Sequence, residues 1–212
     1  NSFNRGAEFA LALTLPAAVA LVVIAVPLTR VLFERGAFST LDTHNTALAL
    51  AAYGLGLPAF VLHKVLQPLF YAREDTRSPF RYAVWSMVVN VGFALGMMPL
   101  MGFLAAALAT TVSGWTMVAQ LWFGSRRMGA AATFDARFRN RLPRILAACA
   151  LMGLALWGGA ELLAPALNAR ALRWLALAAL CIGGAVVYFG FGTLIGAFRL
   201  SDFKAALRRK KA

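Results

Sequence analysis

Acidic residues are scarce in this sequence: eight Asp and Glu stand against 21 Lys and Arg in 212 residues. Charge of either sign is also short, at 14%, where a soluble domain carries roughly a quarter. That shortage argues against a water-soluble fold, because the 61% of apolar residues run in long blocks rather than in a stripe recurring every three or four positions. Cysteine and histidine are nearly absent. Cys149 and Cys181 have no metal-ligand spacing and read as small buried apolar residues, and His44 and His63 are too isolated for a metal site. GxSxG, Walker, HExxH and CxxC patterns are missing, so no enzyme chemistry, cofactor or metal is expected. The net charge of +13 does not indicate nucleic acid, because the basic residues sit in short segments between apolar blocks. No cleavable signal pattern follows the first block. The start at Asn1 rather than Met reads as a piece of a longer chain.

What is present is enough apolar length for about six membrane spans. Residues 82–125 contain no charged side chain over 44 positions, which as one helix would reach about 66 Å, twice a hydrocarbon core of roughly 30 Å. This stretch must turn once, and Pro99 to Gly102 is the expected turn. The spans read as 7–33, 46–72, 82–100, 102–125, 143–165 and 171–198. Backbone groups cannot go unpaired in lipid, so the expected fold is all-α and integral to the membrane, with kinks at Pro16, Pro27, Pro58 and Pro68. The organisation is four spans over 1–125, a basic connector over 126–142, two final spans over 143–198 and a basic tail over 199–212. Sixteen Lys and Arg fall in one set of alternate loops and ends against four in the other, so both ends are expected in the cytoplasm. The tail run Arg208, Arg209, Lys210, Lys211 reads as an orientation signal that also attracts anionic lipid, at about 1 kcal/mol per charge.

Lys64 alone among the basic residues falls inside a span, where an ionisable group is costly and faces a cavity or partner. Gln67 lies three residues on and Pro68 one turn on, so one face of this helix is polar, with His63 beside it. Lys64 reads either as a cationic contact for an anionic substrate or as a lysine paired with a carbonyl or snorkelling to an interface. Glu34 and Arg35, before Gly36, suit a helix-ending turn. Asp42 reads as the N-cap of the second span. Between the second and third spans, Arg73 is placed to clamp an anion and Asp75 to cap the next helix, although loop architecture explains both. Gly92 with Gly96, and Gly192 with Gly196, have GxxxG spacing and are expected to let helices pack closely. Glu161 suits an interfacial position beside Trp157.

Three ordered blocks carry a resemblance. Leu32-Phe33-Glu34-Arg35-Gly36-Ala37-Phe38, then Ala52-Tyr53-Gly54-Leu55-Gly56-Leu57-Pro58, then Lys64 through Thr76 with Pro79, resemble the MurJ/MviN family over about residues 10–85 and, more weakly, to the end of the chain. That family is known as lipid II flippases of the bacterial inner membrane, with fourteen spans in two lobes of the MOP superfamily (MATE-like) and a cationic cavity worked by alternating access. The resemblance implies that this chain is the C-terminal part, about the last six spans, and that the first eight precede it in an N-terminal lobe. It implies lipid II and membrane lipids as partners, with cell-wall synthesis enzymes as further candidates. Lys64 and Gln67 become cavity candidates, and Glu34, Arg35, Arg73 and Asp75 gate or loop candidates. The last two spans become the pair forming a lipid-facing groove for the substrate's tail. Asn90 and Thr110 align with ligands of a sodium site found in some members, but Ala94 stands where a carboxylate is needed, and sodium binding is not expected. Competing readings are a flippase or exporter of another polyprenyl-linked oligosaccharide, a multidrug extruder of the same superfold, or a non-transporting scaffold for cell-wall enzymes.

Overall fold

The computed structural model describes residues 2–126, 128, 135–169 and 172–196, and these form eight helices. They are α1 (Ser2–Val23), α2 (Ala25–Phe33), α3 (Thr40–Tyr71), α4 (Arg77–Met101), α5 (Leu104–Ser125), α6 (Ala136–Leu162), α7 (Ala164–Asn168) and α8 (Arg173–Leu194). Six of them, all but α2 and α7, are long and apolar enough to cross a membrane. Arg127, Arg170 and the tail from 199 onward lie outside the described residues.

Proline sets most of the helix breaks. Pro27 has no N–H for the Val23 carbonyl and its ring crowds that turn; the expected 7–33 span accordingly divides at Ile24 (φ −107°, ψ 22°) into α1 and α2. Pro165 does the same to Glu161, and α6 gives way to the short α7 at Leu163. Gly102, at φ +56°, makes the turn between α4 and α5, with Pro99 still inside α4. Four starts fall earlier than the apolar blocks suggest, the first at Ser2 rather than 7. Ser39 accepts from the Asp42 backbone N–H while the Asp42 carboxylate accepts from the Ser39 N–H, a reciprocal cap. Ser39 is therefore the N-cap, Asp42 the third residue inside α3, and the helix runs 32 residues instead of starting near 46. The third span starts at Arg77 rather than 82. The fifth starts at Ala136 rather than 143, which puts most of the second half of the expected connector inside α6.

The spans pack in a row whose order is α4, α5, α3, α1, α6, α8, each chiefly on its neighbours, with α2 leaning on α3 and touching α8. The last two spans are thus joined to the bundle through α1. Lipid tails are as apolar as leucine, so close backbone approach and hydrogen bonds hold such helices together. One glycine that permits it lies outside the expected pairs, of which only Gly192 is buried. A Cβ at Gly54 would come within 3.0 Å of Leu21 Cβ across the α1–α3 contact, whereas Gly92 and Gly96 have nothing within 4 Å, and Gly196 (φ +69°) follows the end of α8. Gly92 and Gly96 sit on α4, which ends the row and buries only Pro79 and Ser86. Cys149 is buried as expected, but Cys181 is exposed, because it borders an open groove between α8 and α1.

Pro16 stays inside α1, so the Ala12 carbonyl loses the amide that would bond it. An unpaired carbonyl in hydrocarbon costs several kcal/mol. The Tyr188 hydroxyl on α8, 2% exposed, donates to this carbonyl at 2.6 Å.

Candidate functional site

Lys64 projects from an exposed face of α3 that it shares with Pro68 and Tyr71. It makes no hydrogen bond or ion pair with any described residue, so the alternative of a carbonyl partner has no support among them. Pro68 withholds the amide that would bond the Lys64 carbonyl. Gln67 and His63 beside it are half-buried. One stretch of a membrane-spanning helix therefore offers two donors, the Lys64 ammonium and the Gln67 amide, to an anionic oxygen-rich ligand.

Glu34 holds the far end of the first helix pair. Its carboxylate accepts from Thr43 Oγ1 at 2.8 Å and lies 3.6 Å from Arg30 Nε, and Arg30 donates to Asn168 Oδ1 at 2.8 Å. The Glu34 carbonyl is 3.5 Å from Arg173 Nη1. This network ties α2 to α3, α7 and α8. Arg35 is exposed beside it, and Gly36 takes the left-handed turn at φ +64°.

At the other end, Arg73 Nη2 donates to the Met128 carbonyl at 2.8 Å, tying the α3–α4 loop to the segment after α5. Asp75 Oδ1 accepts from the Ser78 N–H at 2.9 Å and so caps α4. The hydrogen bonds from Ser78 hold the Asp75 carboxyl below its ordinary value of 3.8. Sequence reasoning passed over Glu8, on α1 at this same end. Glu8 lies between Arg141, which donates to it, and Arg137 at 3.6 Å. The side chains of Arg141 and Glu8 are 11% and 13% exposed, and a cavity of about 110 Å³ is lined by Glu8 and Arg137. An acidic residue inside an otherwise apolar block was the available signal.

Asn90 and Thr110 are brought together through Ser113, whose hydroxyl accepts from Asn90 Nδ2 at 3.3 Å and donates to the Thr110 carbonyl at 3.0 Å. Ala94 supplies no carboxylate, and no group of three or more His, Cys, Asp or Glu converges among the described residues. Between α1, α6 and α8 lies a second cavity, apolar and about 250 Å³, bordered by Pro16, Met152, Cys181 and Tyr188 among others.

Six apolar helices long enough to cross a membrane, packed in this row, define a polytopic all-α integral membrane fold. The family model described as lipid II flippase MurJ matches residues 1–176. A probable lipid II flippase MurJ of Rhizobium meliloti (strain 1021) is 41% identical over 212 residues, covering 99% of this chain and 39% of the relative. Its counterpart in Rhizobium tropici is 38% identical, covering all of this chain and 40% of the relative. A solved lipid II flippase MurJ in an inward closed conformation superposes with a TM-score of 0.74 at 24% identity, over 91% of this chain and 38% of that one. The chain belongs to the lipid II flippase MurJ family. It spans about two-fifths of the length of these relatives.

Proposed function

We propose that this chain supplies the C-terminal part of a flippase that moves a lipid-linked peptidoglycan precursor, lipid II, from the inner to the outer leaflet of the bacterial cytoplasmic membrane by alternating access. The observation that carries the reading is the family match over residues 1–176 together with Lys64, an exposed cation on a membrane-spanning helix with no partner among the described residues. A pyrophosphate-bearing head group must cross about 30 Å of hydrocarbon, so its path needs positive charge inside while the tail stays in lipid. Lys64 and Gln67 are the cavity contacts in this reading, completed by an N-terminal lobe. Glu34 with Arg35, and Arg73 with Asp75, brace the two ends of the helices that move. The basic excess supports cytoplasmic placement of both ends and of the basic connector, and the tail over 199–212 adds to it.

The groove between α1, α6 and α8 is the seat of the polyprenyl tail, since its cavity is apolar and it borders the last two spans. Depleting the gene that carries this chain and assaying lipid II on the outer leaflet tests the reading. Outer-leaflet lipid II should fall as the protein is lost; unchanged flipping would reject it.

A further inference from the structure

The groove borders the place where α1 is least able to satisfy its own backbone. Pro16 and Ala12 both line it, and so does Tyr188, whose hydroxyl is the donor that the Ala12 carbonyl receives in place of the amide Pro16 lacks. Two elements distant in sequence therefore meet at one turn of α1, and their meeting sets the separation of two groove walls. The third wall, α6, is fixed to α1 about one turn away by the Glu8–Arg141 pair.

We propose that Tyr188 is a positioning residue for the groove: by replacing the hydrogen bond that Pro16 removes from α1, it holds α8 at that turn of α1 and keeps the groove open to a single polyprenyl chain. The ligand in this statement rests on the groove reading above; the joint itself rests on Pro16, Ala12 and Tyr188. Tyrosine suits the task because its ring fills apolar space while its hydroxyl reaches a polar group. Restoring the amide by Pro16→Ala should make the hydroxyl dispensable, because the new backbone N–H would bond the Ala12 carbonyl within the helix.

The test is a double-mutant cycle in the full-length protein that carries this chain, purified in detergent, with Tyr188→Phe measured in the unaltered and Pro16→Ala backgrounds. A photoreactive undecaprenyl phosphate is cross-linked below the melting temperature of every variant, and labelled peptides are located by mass spectrometry. With Pro16 in place, Tyr188→Phe should cut labelling of groove peptides about fivefold; in the Pro16→Ala background the same change should cut it less than twofold. If Tyr188→Phe fails to fold with Pro16 in place but folds and labels when combined with Pro16→Ala, the joint is equally supported. Equal losses in both backgrounds, no loss in either, or failure to fold in both overturn it. If the unaltered protein labels outside the groove, the groove reading itself is rejected, and with it the role of the joint in holding the tail.

Discussion

Glu8 on α1 and Lys64 on α3 are both ionisable side chains on membrane-spanning helices, and their surroundings are opposite. Glu8 lies between Arg137 and Arg141 and is nearly enclosed. Lys64 is exposed and meets no described partner. A charge in a span has to be compensated. Where compensation comes from within the bundle, as at Glu8, the charge fastens helices; where the bundle withholds it, the charge is available to a ligand. The contrast separates a charge paired within the bundle from one that no described residue pairs.

Removing Glu8 should have the largest effect on stability, because it takes away the nearly enclosed carboxylate that Arg137 and Arg141 share. Glu8→Ala is expected to destabilise by about 3 kcal/mol, in the range for breaking a buried pair, seen as a lowered thermal midpoint in detergent. Glu8→Ala melting like the unaltered protein would erase the distinction between the two charges. Next comes packing beside the same helix. Gly54→Leu forces a side chain against Leu21 and the Ala18 carbonyl and should cost about 2 kcal/mol. Gly92→Leu, facing open space on α4, should be within about 0.5 kcal/mol of neutral. Equal effects would mean that α4 is as tightly covered at Gly92 as the α1–α3 contact is at Gly54. The smallest effect belongs to the α4 cap. Its folded carboxyl is held below 3.8, so the stability it adds is present above the ordinary carboxylate value and fades as pH falls through the lower folded one. Exchange of the Ser78 amide, corrected for intrinsic rate, should lose protection over that interval, and Asp75→Asn should remove the pH dependence.

All six spans are legible in the sequence because their cores are long and nearly free of charge, a property that needs no knowledge of neighbours. Their ends are less so, for physical reasons that differ by helix. The first turns of α6 carry Arg137, Arg139 and Arg141 and look like a connector by hydropathy, yet the ion pairs of Arg137 and Arg141 with Glu8 hold this segment against α1. The start of α3 was readable, since Ser39 and Asp42 have capping-box spacing; weighing Asp42 alone put the cap three residues late. Lys64 stood out because a lone charge in a span is visible in one dimension. The roles of Glu8 and Tyr188 were not legible, because their partners lie 133 and 176 residues away. Pro16 announces that a carbonyl in α1 needs a donor, but nothing in the sequence says that Tyr188 provides it. The Gly92 and Gly96 spacing misled for the matching reason: a motif for close packing works only where a second helix lies against it.

The most direct measurement is lipid II flipping by the full-length protein carrying Lys64→Ala, scored together with growth rescue and thermal midpoint. Flipping and rescue should be lost with an unchanged midpoint, because Lys64 makes no hydrogen bond or ion pair with the described residues. Normal flipping and rescue by Lys64→Ala would contradict it.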